Sequence, residues 1–200
     1  MNFKKLQAMQ AKLDEAILAD KAPMTAEERF NKTLVALSVE IAEVANCAEH
    51  FKFWKDNKGK IDHDRFAVDW DYEGTQIIGC YEYKKGAAYQ ISCEQAHRLT
   101  LIEECSDALH FILSLANQMN IKLLDVVERY DEFSREEWYL EIITDLRNMN
   151  NPNGNAWRAL RDLNIDFYHY YTYLGITTEE LEQAYYDKNK INYERLENGY

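Results

Sequence analysis

Two apolar stretches carry carboxylates at the same spacing, and this constrains the chain more than any other feature. Leu34–Lys55 reads LVALSVEIAEVANCAEHFKFWK and Leu99–Met119 reads LTLIEECSDALHFILSLANQM. Both are too long and too densely apolar for strands, so each is predicted to be a helix. Glu40 and Glu43 are three positions apart and share one helical face; Glu104 and Asp107 repeat the spacing. Leu37, Val39, Ile41, Ala42, Val44 and Ala45 surround the first pair almost all round, which predicts a helix buried on most sides. Buried carboxylates are costly unless they are paired or protonated. Four of them on two such helices call for a shared cation, and an all-oxygen donor set suits a hard divalent ion such as Mg²⁺.

The 200 residues suit one domain, or one domain with an insertion. A composition 46% hydrophobic and 13% aromatic argues against disorder, and only two prolines and seven glycines favour long helices. A net charge of −12 excludes non-specific nucleic-acid binding, which needs a basic surface. It leaves room for a phosphorylated substrate held by a local basic cluster with metal. Cys47, Cys80, Cys93 and Cys105 show no CxxC spacing, so neither a zinc site nor a disulfide framework is implied. Cys47 and Cys105 are expected to act as small apolar residues. No run approaches the length of a membrane span, and MNFKKLQAMQ lacks an apolar signal core. The expectation is a cytoplasmic protein with no membrane or nucleic-acid partner.

Along the chain, residues 3–20 form a helical pattern with Leu6, Met9, Leu13, Ile17 and Leu18 on one face and Gln10 beside it. From the residues alone, Gln10 reads as a boundary residue. Thr25 and Glu28 read as a capping box opening the next helix. After the first acidic pair, Trp54 reads either as plain core or as a base-stacking platform. Lys52 and Lys55 read either as solvated or as reaching phosphates. Residues 57–97 change character: Phe66, Val68 and Trp70 alternate, as do Tyr81 and Tyr83, then Tyr89, Ile91 and Cys93. With a turn at 84–87 they predict a β-hairpin with room for a third strand. In the second acidic helix Glu103 also faces Asp107, as a residue behind the ligands, a salt-bridge partner or a solvated group. His110 reads as a packed helix residue. Residues 122–147 continue helical, with Leu123, Leu124, Val126, Val127 and Tyr130, then Trp138, Tyr139, Ile142, Ile143 and Leu146. Residues 148–155 form a turn. The helix Trp157–Tyr173 carries Phe167, Tyr168, Tyr170, Tyr171 and Tyr173, too many aromatics for a small monomer to bury, which predicts a helix–helix dimer interface. Thr177 and Glu180 form a second capping box. Lys188, Asn192 and Arg195 then fall at i, i+4 and i+7 on one helical face. Such a triad can hold phosphate oxygens, and it is equally common on solvated helices.

The acidic pairs together with Lys188, Asn192, Arg195, Gly199 and Tyr200, at K-x₃-N-x₂-R-x₃-GY spacing, resemble the dimeric dUTPases of phages, bacteria and trypanosomatids. These belong to the all-α nucleoside triphosphate pyrophosphatases. The resemblance spans about residues 3–55 and 98–200 and omits 57–97. It implies an all-α helical-bundle core over 1–56 and 98–200, assembled as a homodimer, with 57–97 as a small β-rich insertion. The family usually sets its acidic motifs much closer together than Glu43 and Glu104 stand here. The activity implied is Mg²⁺-dependent hydrolysis of dUTP, and of dUDP, to dUMP. Glu40, Glu43, Glu104 and Asp107 would be the metal ligands, with Glu40 also activating water. Lys188, Asn192, Arg195, Tyr200 and Lys55 would bind phosphates. Gln10, three before Leu13 as in the family, and Trp54 would bind the base. A broad nucleoside triphosphate pyrophosphatase is the neighbouring alternative. The insertion serves as decoration or dimer packing, as a lid, or as a docking surface, since some phage dUTPases of this type bind bacterial repressor proteins. If the chain is phage-encoded, its place is the host cell cytoplasm.

Overall fold

In the computed structural model, all residues are described except 20, 57–58, 85, 125–132, 152 and 200. The elements run α1 (Phe3–Ala19), α2 (Ala26–Ala48), β1 (Phe66–Trp70), β2 (Ile77–Lys84), β3 (Ala87–Ile91), α3 (Cys93–Gln118), α4 (Arg135–Met149), α5 (Ala156–Tyr173) and α6 (Thr178–Glu197). The fold is all-α with a small three-stranded sheet.

The central helix is α3. Ser92 starts it by accepting the Gln95 N–H. From Thr100 to Ala116 it buries side chains on nearly every side, because α1, α2, α5 and α6 all pack on it. Helix α2 is not buried on most sides, contrary to the sequence expectation. It meets α3 through Leu34, Leu37, Ile41, Val44 and Ala45, one helical stripe. The opposite stripe stays open: Val35 is 63% exposed and Val39 46%, with Ala42 and Asn46 beside them. The helix also ends at Ala48, where Glu49 turns left-handed with φ 53°. Thr25 caps α2 through the Glu28 N–H, but only half of the expected box forms, because the Glu28 carboxylate takes Lys32 one turn on at 2.7 Å.

The aromatic helix α5 also departs from expectation. Phe167, Tyr170 and Tyr171 are buried within this chain, not left for a partner. Helix α4 and the residues just after α2 pack on α5: Trp138 stacks on His169, and the Tyr170 hydroxyl meets His50 Nε2 at 2.8 Å. Helix α4 opens with a full capping box, Ser134 with Glu137. The expected continuous helix over 122–147 does not form, since 122–124 and 133–134 are not helical. Val126, Val127 and Tyr130 lie outside the described residues.

Residues 66–91 form an antiparallel meander in the order β1-β2-β3, with Phe66 opposite Glu82, Cys80 opposite Ile91 and Lys84 opposite Ala87. Its inner face packs Phe66 and Cys80 on Ala96, with Val68, Ile91 and Leu99 around them. The sheet thus sits on the first turns of α3, just before Glu103 and Glu104.

Candidate functional site

Packing α2 on α3 brings the two acidic pairs together. One carboxylate oxygen from each of Glu40, Glu43 and Glu104 lies within 4.8 Å of the others, and these three could hold a metal ion. The donors are all hard oxygens from two rigid helices, which fits a divalent cation. The electrostatics agree. Burial, and then the charges of Asp107, Glu43 and Glu104, push Glu40 up to about 7, against the pull of Lys188. Burial, followed by Glu43 and Asp107, pushes Glu104 to about 7 as well. Clustered anions that cannot all ionise comfortably are what a cation would relieve.

Asp107 stands slightly apart from the three. Burial raises it, while Lys188 Nζ, 2.8 Å from its carboxylate, pulls it back down. The same ammonium lies 3.0 Å from Glu103. Burial works against ionisation of Glu103, but Lys188 and Arg65 outweigh it and hold that carboxyl below its usual range. Glu103 is therefore a salt-bridge partner, the second of the roles its position allows. Arg195, on the exposed side of α6, is close enough for its charge to act on Asp107. Asn192 is half-buried on the same helix. Lys188 and Arg195 thus flank Asp107 from α6, whose start is fixed by the Thr177–Glu180 capping box and by the Arg98–Glu180 ion pair at 2.7 Å. Tyr200 lies outside the described residues.

The other expected site residues are placed differently. Gln10 is only 4% exposed. Its amide donates to Asp14 at 2.8 Å and accepts from the Tyr185 hydroxyl at 3.0 Å. That uses one N–H and one oxygen lone pair, half of what an amide offers. Lys55 is engaged with Glu49, as is Lys52 at 2.7 Å, so neither ammonium stands free for phosphate in this conformation. Burial of Glu49 opposes its charge, yet the two lysines and the Gly59 N–H hold its carboxyl down at about 2. Trp54 is 66% exposed and sits edge-on to Phe51 and Phe53, which makes it neither core nor an enclosed stacking platform. His110 is packed as expected: its Nδ1 contacts Ser106 O at 2.8 Å and its ring stacks on Tyr185.

Sequence reading passed over Arg65, Glu82 and Glu49. A carboxylate on the inner face of a strand, at the same parity as Cys80, was the available signal for Glu82. Glu49 follows the end of α2 and precedes Lys52 and Lys55, a weaker signal.

No curated protein matches the chain. A sequence model for a family described as dUTPase matches residues 2–69 and 91–200, which takes in Glu40, Glu43, Glu104, Asp107 and the α6 triad.

Proposed function

The chain belongs to the dUTPase family, enzymes that hydrolyse dUTP, and on that premise we propose a Mg²⁺-dependent reaction giving dUMP and pyrophosphate, with dUDP as a second substrate. The observation that carries the metal-dependent part is the convergence of Glu40, Glu43 and Glu104. Asp107 joins them once Lys188 moves aside. A bound Mg²⁺ supplies charge neutralisation for the phosphate chain and a more acidic water. Glu40, half-buried among the other carboxylates, holds or takes a proton from the attacking water. Lys188, Asn192, Arg195 and Tyr200 stabilise charge on the phosphoryl oxygens. Gln10, buried at rest, reads the uracil edge only if substrate uncovers it, with the N–H and lone pair that Asp14 and Tyr185 leave over. Trp54 and Lys55 extend this reading to the base and the phosphates only if the 51–56 loop rearranges, Lys55 leaving Glu49.

A homodimer belongs to the same proposal. The open stripe of α2 (Val35, Val39, Ala42), continued on α4 by Leu140, 59% exposed, is the apolar surface best suited to a second copy. A docking role for the 57–97 region is favoured by one observation. The sheet exposes Trp70, Ile78, Tyr83 and Tyr89 to solvent, and residues 70–90 fall outside the family match.

Pyrophosphate release from dUTP, dTTP, dCTP and UTP, with Mg²⁺ and with EDTA, tests the reading. Turnover confined to dUTP and abolished by EDTA supports it. Comparable turnover of all four moves the assignment to a broad pyrophosphatase, and turnover that persists in EDTA sinks the metal centre.

A further inference from the structure

Lys188 rests between a carboxylate assigned to the metal set, Asp107, and one outside it, Glu103. If Asp107 were its only counter-charge, the ammonium would remain on a residue the reaction needs. Glu103 offers it a second partner, but a carboxylate on a half-exposed side chain would swing into solvent unless something held it. Arg65 is that restraint. Its Nη1 donates to Glu103 Oε2 at 3.1 Å, while Nη2 and Nε donate to Glu82 Oε1 at 3.0 and 3.3 Å.

Arg65 is itself well fixed. The Phe66 N–H donates to Asp62 O, the Asp62 N–H donates to Thr100 Oγ1 on α3, and the guanidinium lies 4.9 Å from the centre of the Phe66 ring. Glu82, 6% exposed on β2, also accepts from Lys84 at 2.8 Å. Arg65, Glu82, Glu103 and Lys188 all line one groove of about 850 Å³ between the sheet and α6. Glu82 lies in the part of the chain that the family model leaves unmatched.

We propose that Arg65, anchored by Glu82, is a positioning residue that fixes Glu103 as the resting post of Lys188, so that Lys188 vacates Asp107 without losing its counter-charge. The sheet then acts on the site and is more than decoration. This inference rests on the metal-dependent reading above.

The test is Mn²⁺ binding to the nucleotide-free, full-length protein by calorimetry, for the parent, Arg65→Gln and Arg65→Lys. Removing a positive charge near an acidic cluster would, by field alone, tighten cation binding. The relay predicts the opposite sign: Arg65→Gln weakens Mn²⁺ binding about tenfold, the usual loss when a group behind a ligand set is removed. Arg65→Lys recovers part of it, because a lysine reaches Glu103 but cannot bridge both carboxylates. In turnover of dUTP, kcat/KM at limiting Mg²⁺ falls more than kcat at saturating Mg²⁺. Binding by Arg65→Gln as tight as the parent's, or tighter, overturns the relay while leaving the metal centre standing. A parent that binds no Mn²⁺ overturns both. Should Arg65→Gln fail to fold, Arg65→Lys decides, because it keeps the charge and loses only the bridge to Glu82: weakened binding supports the relay and unchanged binding refutes it.

Discussion

Burial, reinforced by the charges of the neighbouring carboxylates, raises Glu40 and Glu104 each to about 7. A carboxyl raised on folding makes the folded state bind protons more tightly than the unfolded one, so its ionisation costs stability as pH rises through its folded pKa. Glu40→Gln should therefore melt at a higher temperature than the parent at pH 8 without metal, while turnover falls by about a hundredfold or more. Thermal denaturation and steady-state kinetics on one preparation check both halves. A variant that loses activity and also melts lower would show that Glu40 is structural. Tyr185 allows a second test at this scale. Its hydroxyl donates to Gln10 Oε1 at 3.0 Å in a buried setting. Tyr185→Phe should cost about 1 kcal/mol in urea denaturation, the usual net worth of one such bond.

Among the elements, the α4–α5 hairpin carries a hidden electrostatic cost. Burial, and then the charge and hydrogen bond of Asp166, push Asp145 up to about 8, with Asp162 and Glu141 adding to the field. The folded protein retains a proton there that the unfolded chain releases near pH 4, so this contribution is complete below that pH and fades as pH rises toward 8. Asp145→Asn supplies a permanent N–H donor to Asp166. It should flatten the decline, melting above the parent at pH 8 and no higher than it at pH 4. Identical pH slopes for variant and parent would refute the shared proton. The same elements show where sequence reading reached and where it stopped. The acidic pairs were legible because a three-residue spacing inside an apolar helix is a local signal, and α6 was legible from its capping box and the i, i+4, i+7 spacing of Lys188, Asn192 and Arg195. The open stripe of α2 was not, since apolar residues on every side look alike whether a core or a second copy covers them. Phe167, Tyr170 and Tyr171 of α5 were assigned to an interface although this chain buries them, Tyr170 against His50 from far along the sequence, whereas Tyr173 stays exposed. Arg65, Glu82 and Glu103 are likewise joined only by the fold. Lys32 disarmed the Thr25 box by competing for Glu28 one turn away, and no capping pattern records that competition.

At the scale of the whole molecule, the unbalanced feature is the surface shared by α2 and α4. Val39, Ala42, Phe51, Tyr139 and Leu140 line a shallow groove of about 690 Å³ that ends at Glu43, one of the three converging carboxylates. An apolar patch on a strongly acidic chain has little to gain from water and much to gain from a like patch, and two-fold symmetry lets one surface serve both partners. Glu43 lies on its border, so covering this groove would also shield the site from water and strengthen every charge interaction within it. Sedimentation at micromolar concentration should then show a dimer for the parent. Val39→Glu and Leu140→Glu each place a charge on the patch without touching α3 or α6, and both should yield monomers that retain helical circular dichroism. Because the site borders the interface, turnover should fall in these monomers and recover in part at high protein concentration. Monomers with full activity would separate assembly from catalysis, and a parent that sediments as a monomer would show that the stripe serves another purpose.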